Sequence, residues 1–380
     1  MRVEREDTEN KVKGESIGVA TISNTTIPLP YSAITTTEVN YAEEITDNCE
    51  VEVIYPNKIH ELKERWNLNS IRRLMNSDAQ FEAKVAYLKI QKEKSPAEIF
   101  IYTPLLKEGT PITREVVDFF IKLQIKAEFD IINILDIPYF TFQQMRELLT
   151  TKKRELEDQN KIPFLLASTK TPDMRFKPIS KLAVELLNGL TAIYANPMQN
   201  FSNFSTLAGL QEPNFIRLLS NVDRIFYKDN KSAIMPNAYL YSDIFSSKLG
   251  MYVTKKKLIN GKMEVINTFR PRLNARRLDK ISGGLLKIRQ QRTEHDEDLD
   301  CVCPIDRGNT LSDVVVDFNK YLYKAFRVHE PFAIYEDLES VRERINRGNL
   351  LEFINTKKYA KNVLDSVFGV GQQILAKATI

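Results

Sequence analysis

Phe129-Asp-Ile-Ile-Asn-Ile-Leu135, Pro163-Phe-Leu-Leu-Ala167 and Leu190-Thr-Ala-Ile-Tyr194 follow one another at intervals of roughly 30 residues. Each run is apolar without alternation, the pattern of a strand buried on both faces, as parallel strands are. Glu98-Ile-Phe-Ile-Tyr102 precedes them, Arg224-Ile-Phe-Tyr227 and Ala238-Tyr-Leu-Tyr241 extend the series, and Val51-Glu-Val-Ile-Tyr55 stands at its head. The stretches between read as amphipathic helices. Thr110-Pro111 offers an N-cap and a proline at the first helical position, after which Ile112, Val116, Phe119, Phe120 and Leu123 share one face. Such alternation predicts an α/β fold, either a (β/α) barrel or a doubly wound sheet. In a barrel, the residues just beyond each strand carry the chemistry.

Working outward, residues 1–16 are polar and unpatterned and read as a loose tail. Ile17 to Pro30 is β-branched and broken by Asn24-Thr-Thr26, which reads as a hairpin. On the other side, Leu258-Ile-Asn-Gly-Lys-Met-Glu-Val-Ile266 predicts a hairpin around Asn260-Gly261. A short helix is expected after Gly284, followed by the acidic stretch Glu294–Asp300. Two helices then follow, over 311–327 with Leu311, Val314, Val315, Phe318, Leu322 and Phe326 on one face, and over 332–347 with Tyr335, Leu338, Val341 and Ile345. The organisation expected is a tail and hairpin cap over 1–47, a barrel over 48–290 with a basic insertion at 248–292, and a metal-binding helical part over 291–380.

Hydrophobic residues make up 43% of the chain, ample for a core, and no apolar run approaches the ~18 residues of a membrane span. The charged N-terminus lacks the apolar stretch of a secretory signal. Three cysteines argue against a disulfide framework and for a reducing cytoplasm. The net charge of +4 conceals an asymmetry: Lys248 to Arg292 holds thirteen Lys or Arg against Glu264 and Asp279, so the remainder is net acidic. That is the footprint of a polyanion-binding face. Lys255, Lys256, Lys257, Arg270, Arg272, Arg276 and Arg277 are its candidate phosphate contacts.

Cys301-Val-Cys303-Pro-Ile-Asp306 and the later His329 offer two thiolates, a carboxylate and an imidazole, all of which zinc accepts in a tetrahedral shell. The intervening helix would bring His329 back to the loop, and His295 is a rival to Asp306 for the fourth place.

These residues also carry a resemblance. Asp300-Cys-Val-Cys-Pro304, Tyr321-Leu-Tyr-Lys-Ala-Phe326, His329 and Tyr335-Glu-Asp-Leu-Glu-Ser-Val-Arg-Glu-Arg-Ile-Asn-Arg-Gly-Asn-Leu-Leu-Glu-Phe353 together resemble the zinc-binding tail of the tRNA-guanine transglycosylase family. Gly18-Val-Ala-Thr-Ile22 with Thr26-Ile-Pro-Leu-Pro30 resembles that family's opening hairpin. The likeness implies a (β/α)8 TIM barrel with an N-terminal antiparallel hairpin cap and a C-terminal zinc-binding helical segment. It implies structural zinc on Cys301, Cys303, Asp306 and His329, with Asp306 where the family has a third cysteine, and a homodimer through that segment.

The activity so implied is exchange of guanine for a 7-deazaguanine, such as 7-cyano-7-deazaguanine, in nucleic acid. A carboxylate nucleophile forms a glycosyl-enzyme ester at the ribose, by the two-displacement logic of retaining glycosidases. Asp243, just past the expected strand at 238–241, matches the nucleophile, and Asp136 matches the aspartate that reads the guanine edge. Ser168 stands where the family has Gln-Gly-Gly, and Asn196 where it has Gly-Gly-Leu-Ala-Val-Gly-Glu; both are candidate base contacts. The family's Asp-Ser-Gly-Gly-Phe-Gln motif has no counterpart, its place being taken by Ile99-Phe-Ile-Tyr-Thr-Pro104. These departures resemble the DNA-modifying branch, so DNA is favoured over tRNA. The alternatives are action on tRNA and a non-catalytic nucleic-acid-binding partner subunit on the same fold.

Overall fold

The computed structural model describes residues 1–5, 18–194, 214–221, 244–246, 256–259, 262–265, 276–288, 291, 301–347 and 349–358. The chain begins with an antiparallel sheet of β1 (Arg2–Arg5), β2 (Gly18–Ile22) and β3 (Thr25–Leu29). The expected hairpin is present, turning at Ser23, whose φ is 54°. Arg2–Arg5, read as loose tail, instead pairs with β2, from Arg2 opposite Thr21 to Arg5 opposite Gly18.

Next come β4 (Tyr31–Ser32), β5 (Ile34–Thr35), α1 (Thr36–Cys49), β6 (Ile59–Trp66), α2 (Leu68–Met75), α3 (Asp78–Glu93), β7 (Ile99–Leu106) and α4 (Arg114–Lys126). They are followed by β8 (Ile131–Leu135), α5 (Phe142–Glu157), β9 (Ile162–Ala167), α6 (Asp173–Leu186), β10 (Gly189–Tyr194), β11 (Ile216–Asn221) and β12 (Ile244–Ser246). The seven parallel strands β6 to β12 lie side by side in chain order as one curled, barrel-like sheet. The segment 31–35 touches both of its edges: Ser32 pairs with Ser246 of β12, and Ile34 with His60 of β6.

Two apolar layers follow from the alternation of side chains along each strand. Ile59, Ile99, Ile101, Ile131, Ile162, Phe164, Ile216 and Leu218 turn inward and meet Ala20, Ile22, Ile27 and Leu29 of the N-terminal sheet. Most of these are the first residues of their strands, so the N-terminal sheet plugs the end at which the strands begin. Outward, Leu62, Trp66, Tyr102, Ile132, Ile134, Leu165 and Leu190 pack beneath α3 to α6. Where β7 and β8 pair only at Ile101–Ile131, Gln124 of α4 supplies the missing ladder: its side chain donates to Asn133 O and accepts from Asn133 N.

Several expectations change. Val51–Tyr55 is not a strand; β6 begins at Ile59, in the charged text Ile-His-Glu-Leu-Lys-Glu-Arg-Trp. Thr113, not Thr110, caps α4, its hydroxyl accepting from Val116 N, although all five expected apolar residues are buried. Arg224–Tyr227 and Ala238–Tyr241 lie outside the described residues.

Beyond the sheet, β13 (Lys256–Ile259) and β14 (Lys262–Val265) form the expected hairpin. A second, unexpected hairpin pairs β15 (Arg276–Asp279) with β16 (Gly284–Lys287), and Gly283 supplies its turn with φ 68°. Ile288 and Gln291 just beyond it are helical, in the place of the short helix expected after Gly284. α7 (Leu311–Phe318), one 3₁₀ turn (Asn319–Tyr321), α8 (Leu322–Asn346) and α9 (Leu350–Thr356) complete the described chain. The break comes at Asn319, with φ 33°, and α8 runs through Pro331. Proline costs the helix one hydrogen bond, but burial of Phe326, Val328, Phe332 and Ala333 around it holds the turn together. A separate core joins α1, β15, the 301–305 loop, α7 and α8. No described helix is long and apolar enough to cross a membrane.

Candidate metal centre and the mouth of the sheet

Cys301, Cys303 and Asp306 lie on the loop before α7, and His329 projects from α8 across from them. Their donor atoms all fall within 4.8 Å of one another, a group that can hold a metal ion such as zinc. Cys303 Sγ is 3.2 Å and Asp306 Oδ2 3.0 Å from His329 Nδ1. Cys303, Asp306 and His329 are buried, while Cys301 is 9% exposed.

The surroundings orient the donors. His329 Nε2 donates to Leu278 O of β15 at 2.9 Å, leaving Nδ1 to face the sulfurs and the carboxylate. This is the usual support of a ligating histidine. Arg277 of the same strand pairs with Asp306 Oδ2, whereas Asp306 Oδ1 is buried with no hydrogen-bond partner among the described residues. A buried carboxylate oxygen without a donor, on a residue grouped with two sulfurs and a ring nitrogen, suits a cation. The hydrogen bond from Cys303 pulls the Cys301 thiol down to about 5, while burial pushes Cys303 far up. Burial opposes the charge on Asp306, yet His329 and Arg277 hold its carboxyl well below the usual range. Burial and Arg277 likewise oppose the charge on His329, yet Asp306 and Cys301 carry it up to about 9.

The sequence groups Arg277 with the phosphate-gripping residues, but the residue is 2% exposed and its side chain turns inward to Asp306. Lys256, Lys257 and Arg276 fall in strands β13 and β15, described by their backbone alone. Lys255, Arg270, Arg272, His295, Asn196 and Asp243 lie outside the described residues. β12, the described strand nearest Asp243, begins one residue after it.

The other described candidates sit where the parallel strands end. Asp136 follows β8, fully buried, and both its oxygens are taken by Arg175: Nε bonds at 2.9 and 3.0 Å and Nη2 at 2.8 Å, with Thr171 Oγ1 at 3.2 Å. Ser168, half-buried after β9, lines a cleft of about 170 Å³ with Arg65, Leu105, Leu106, Lys107, Thr169 and Ile193. Beneath the cleft the inner face turns polar. Glu61, Thr103, Asn133, Thr191 and Ser220 share the inward alternation and are all fully buried. Thr191 Oγ1 donates to Asn133 Oδ1 at 2.6 Å, and Asn133 Nδ2 to Tyr102 O at 2.9 Å. Among the described residues no group hydrogen-bonds either oxygen of Glu61; Lys63 Nζ stands 3.4 Å away. Sequence reasoning missed Glu61 because it missed β6; the available signal was the inward spacing of Ile59, Glu61, Lys63 and Arg65.

Neither a protein-family model nor a curated protein matches this chain.

Proposed function

We propose that this protein is a transglycosylase exchanging guanine for a 7-deazaguanine base in nucleic acid, DNA before tRNA. The observation that carries the reading is the buried Cys301–Cys303–Asp306–His329 group beside a barrel-like parallel sheet plugged by an N-terminal antiparallel sheet. That combination supports the resemblance drawn from the two ends of the sequence. The pairing of Tyr31–Thr35 with both sheet edges supports reading the fold as a (β/α)8 barrel. In this reading zinc is structural, tying β15 and the 301–306 loop to α8. Asp243 is the nucleophile at C1′ of the ribose, and Ser168 lies at the base site. A guanine in duplex DNA would have to leave the stack first.

The test is incubation of the protein with labelled 7-cyano-7-deazaguanine and guanine-containing DNA or tRNA. Label is expected in DNA, and label in neither polymer rejects the reading. Asp243→Asn should abolish both incorporation and any covalent polymer adduct. A second reading, a non-catalytic nucleic-acid-binding subunit on the same scaffold, is favoured by one observation: Arg175 occupies Asp136, the carboxylate expected to read the base.

A further inference from the structure

A carboxylate buried without a hydrogen-bond donor is costly, and Glu61 is one, fully enclosed with neither oxygen hydrogen-bonded among the described residues. Lys63 offsets its charge from 3.4 Å but does not fill its acceptor positions. The location is specific. Glu61 lies on the inner face of β6, above the apolar plug, among Thr103, Asn133, Thr191 and Ser220. Ser220 Oγ is likewise buried and unpartnered. Lys63, about 7 Å further along the strand, already reaches solvent with 13% of its side chain exposed. Arg65, two residues on again, lines the cleft shared with Ser168. The acceptor thus stands below the one end of the sheet from which a ligand can enter, since the N-terminal sheet closes the other.

We infer that Glu61 is the carboxylate that accepts the paired N–H and NH₂ groups of a purine-type base lowered edge-first from the cleft. This rests on the nucleobase reading above, but reassigns the base-reading role. Asp136 has both oxygens committed to Arg175 and Thr171, and freeing them would strand a buried guanidinium. Glu61 has two acceptor oxygens to give, with the Lys63 ammonium 3.4 Å from one of them and neither hydrogen-bonded among the described residues. Two parallel N–H···O bonds to a carboxylate are the strong, orientation-specific kind.

The experiment is calorimetric titration of the full chain with guanine and with hypoxanthine, which lacks the exocyclic amine, alongside thermal melts. The wild type should prefer guanine. Glu61→Gln should bind guanine roughly tenfold or more weakly and lose the preference, while melting no lower than wild type, because it removes an unsatisfied buried acid. Asp136→Asn should lower the melting temperature and keep the preference. Glu61→Gln with an intact preference, or with a lower melting temperature and unchanged affinity, overturns the assignment, as does a wild type that binds neither base. Incorporation of labelled base into polymer judges the exchange reading separately. Full incorporation by Glu61→Gln removes Glu61 and leaves exchange standing; Glu61-dependent base binding without incorporation by wild type does the reverse.

Discussion

His329 holds one proton too many for a metal ligand, and Cys303 holds another. With His329 raised to about 9 and Cys303 kept neutral by burial, the metal-free group comprises one thiolate, one carboxylate, the imidazolium and the Arg277 guanidinium, and is neutral. A dication replacing two protons leaves that balance unchanged, which is why Arg277 belongs there. Zinc uptake near neutral pH should therefore release about two protons per ion; titration calorimetry in buffers of different ionisation enthalpy measures this, and release below one refutes the scheme. His60 presents the opposite case. Burial pushes it down to about 3, so below ~6.5 the unfolded chain takes up a proton that the folded chain refuses. Its contribution is complete above that pH and declines as pH falls toward 3, by about 1.4 kcal/mol per pH unit. Urea melts between pH 6.5 and 4 should show this slope in wild type and a flatter one in His60→Asn. At the end of β8, Arg175→Met would leave Asp136 buried without its cation and should cost about 3–5 kcal/mol. Adding Asp136→Asn should restore part of it; a neutral single substitution would mean the pair contributes little.

Among the elements, β9 and β10 show how tightly the inner face is filled. A Cβ on Gly189 would sit 2.3 Å from the Phe164 ring, so Gly189→Ala should destabilise by about 1–3 kcal/mol. Phe164→Leu in the same chain should relieve part of the loss, readable in denaturant midpoints. The strands expected at 98–102, 129–135, 163–167 and 190–194 were legible because both of their faces are mostly apolar, with Asn133 and Thr191 as single polar residues on the inner one. β6 was not, since its inner face carries Glu61, Lys63 and Arg65; strand reading by apolarity fails where a strand lines a polar interior. The Val51–Tyr55 run satisfies the same pattern as loop, with Tyr55 packed on Phe332 of α8. The four candidate metal donors were legible from residue type and the intervening helix. Arg277 and the Leu278 carbonyl were not, because a supporting partner has no spacing rule, only a position in space. The helices expected over 311–327 and 332–347 are instead joined within α8 through Pro331, where burial overrides the proline, and the break falls at Asn319, which nothing in its neighbours announces.

At the scale of the whole molecule, the core that contains the metal group also contains α1, which joins α8 through Arg327 between Glu38 and Glu330. Chelation should therefore loosen residues 301–346 and also residues 34–49, while 99–167 keeps its protection; hydrogen exchange resolves the three regions, and uniform loosening would contradict it. The segment 31–35 has a different consequence, one of timing. Ile34 finds His60 within a few dozen residues, but Ser32 finds Ser246 only after more than two hundred further residues have been made. A strand near the start of translation thus waits, half paired, for the last described strand of the sheet. Long-range pairings of this kind slow folding and leave an edge open to other chains meanwhile. The nascent protein is most exposed to mispairing between synthesis of β6 and arrival of β12, and shielding that edge is the task a chaperone would have.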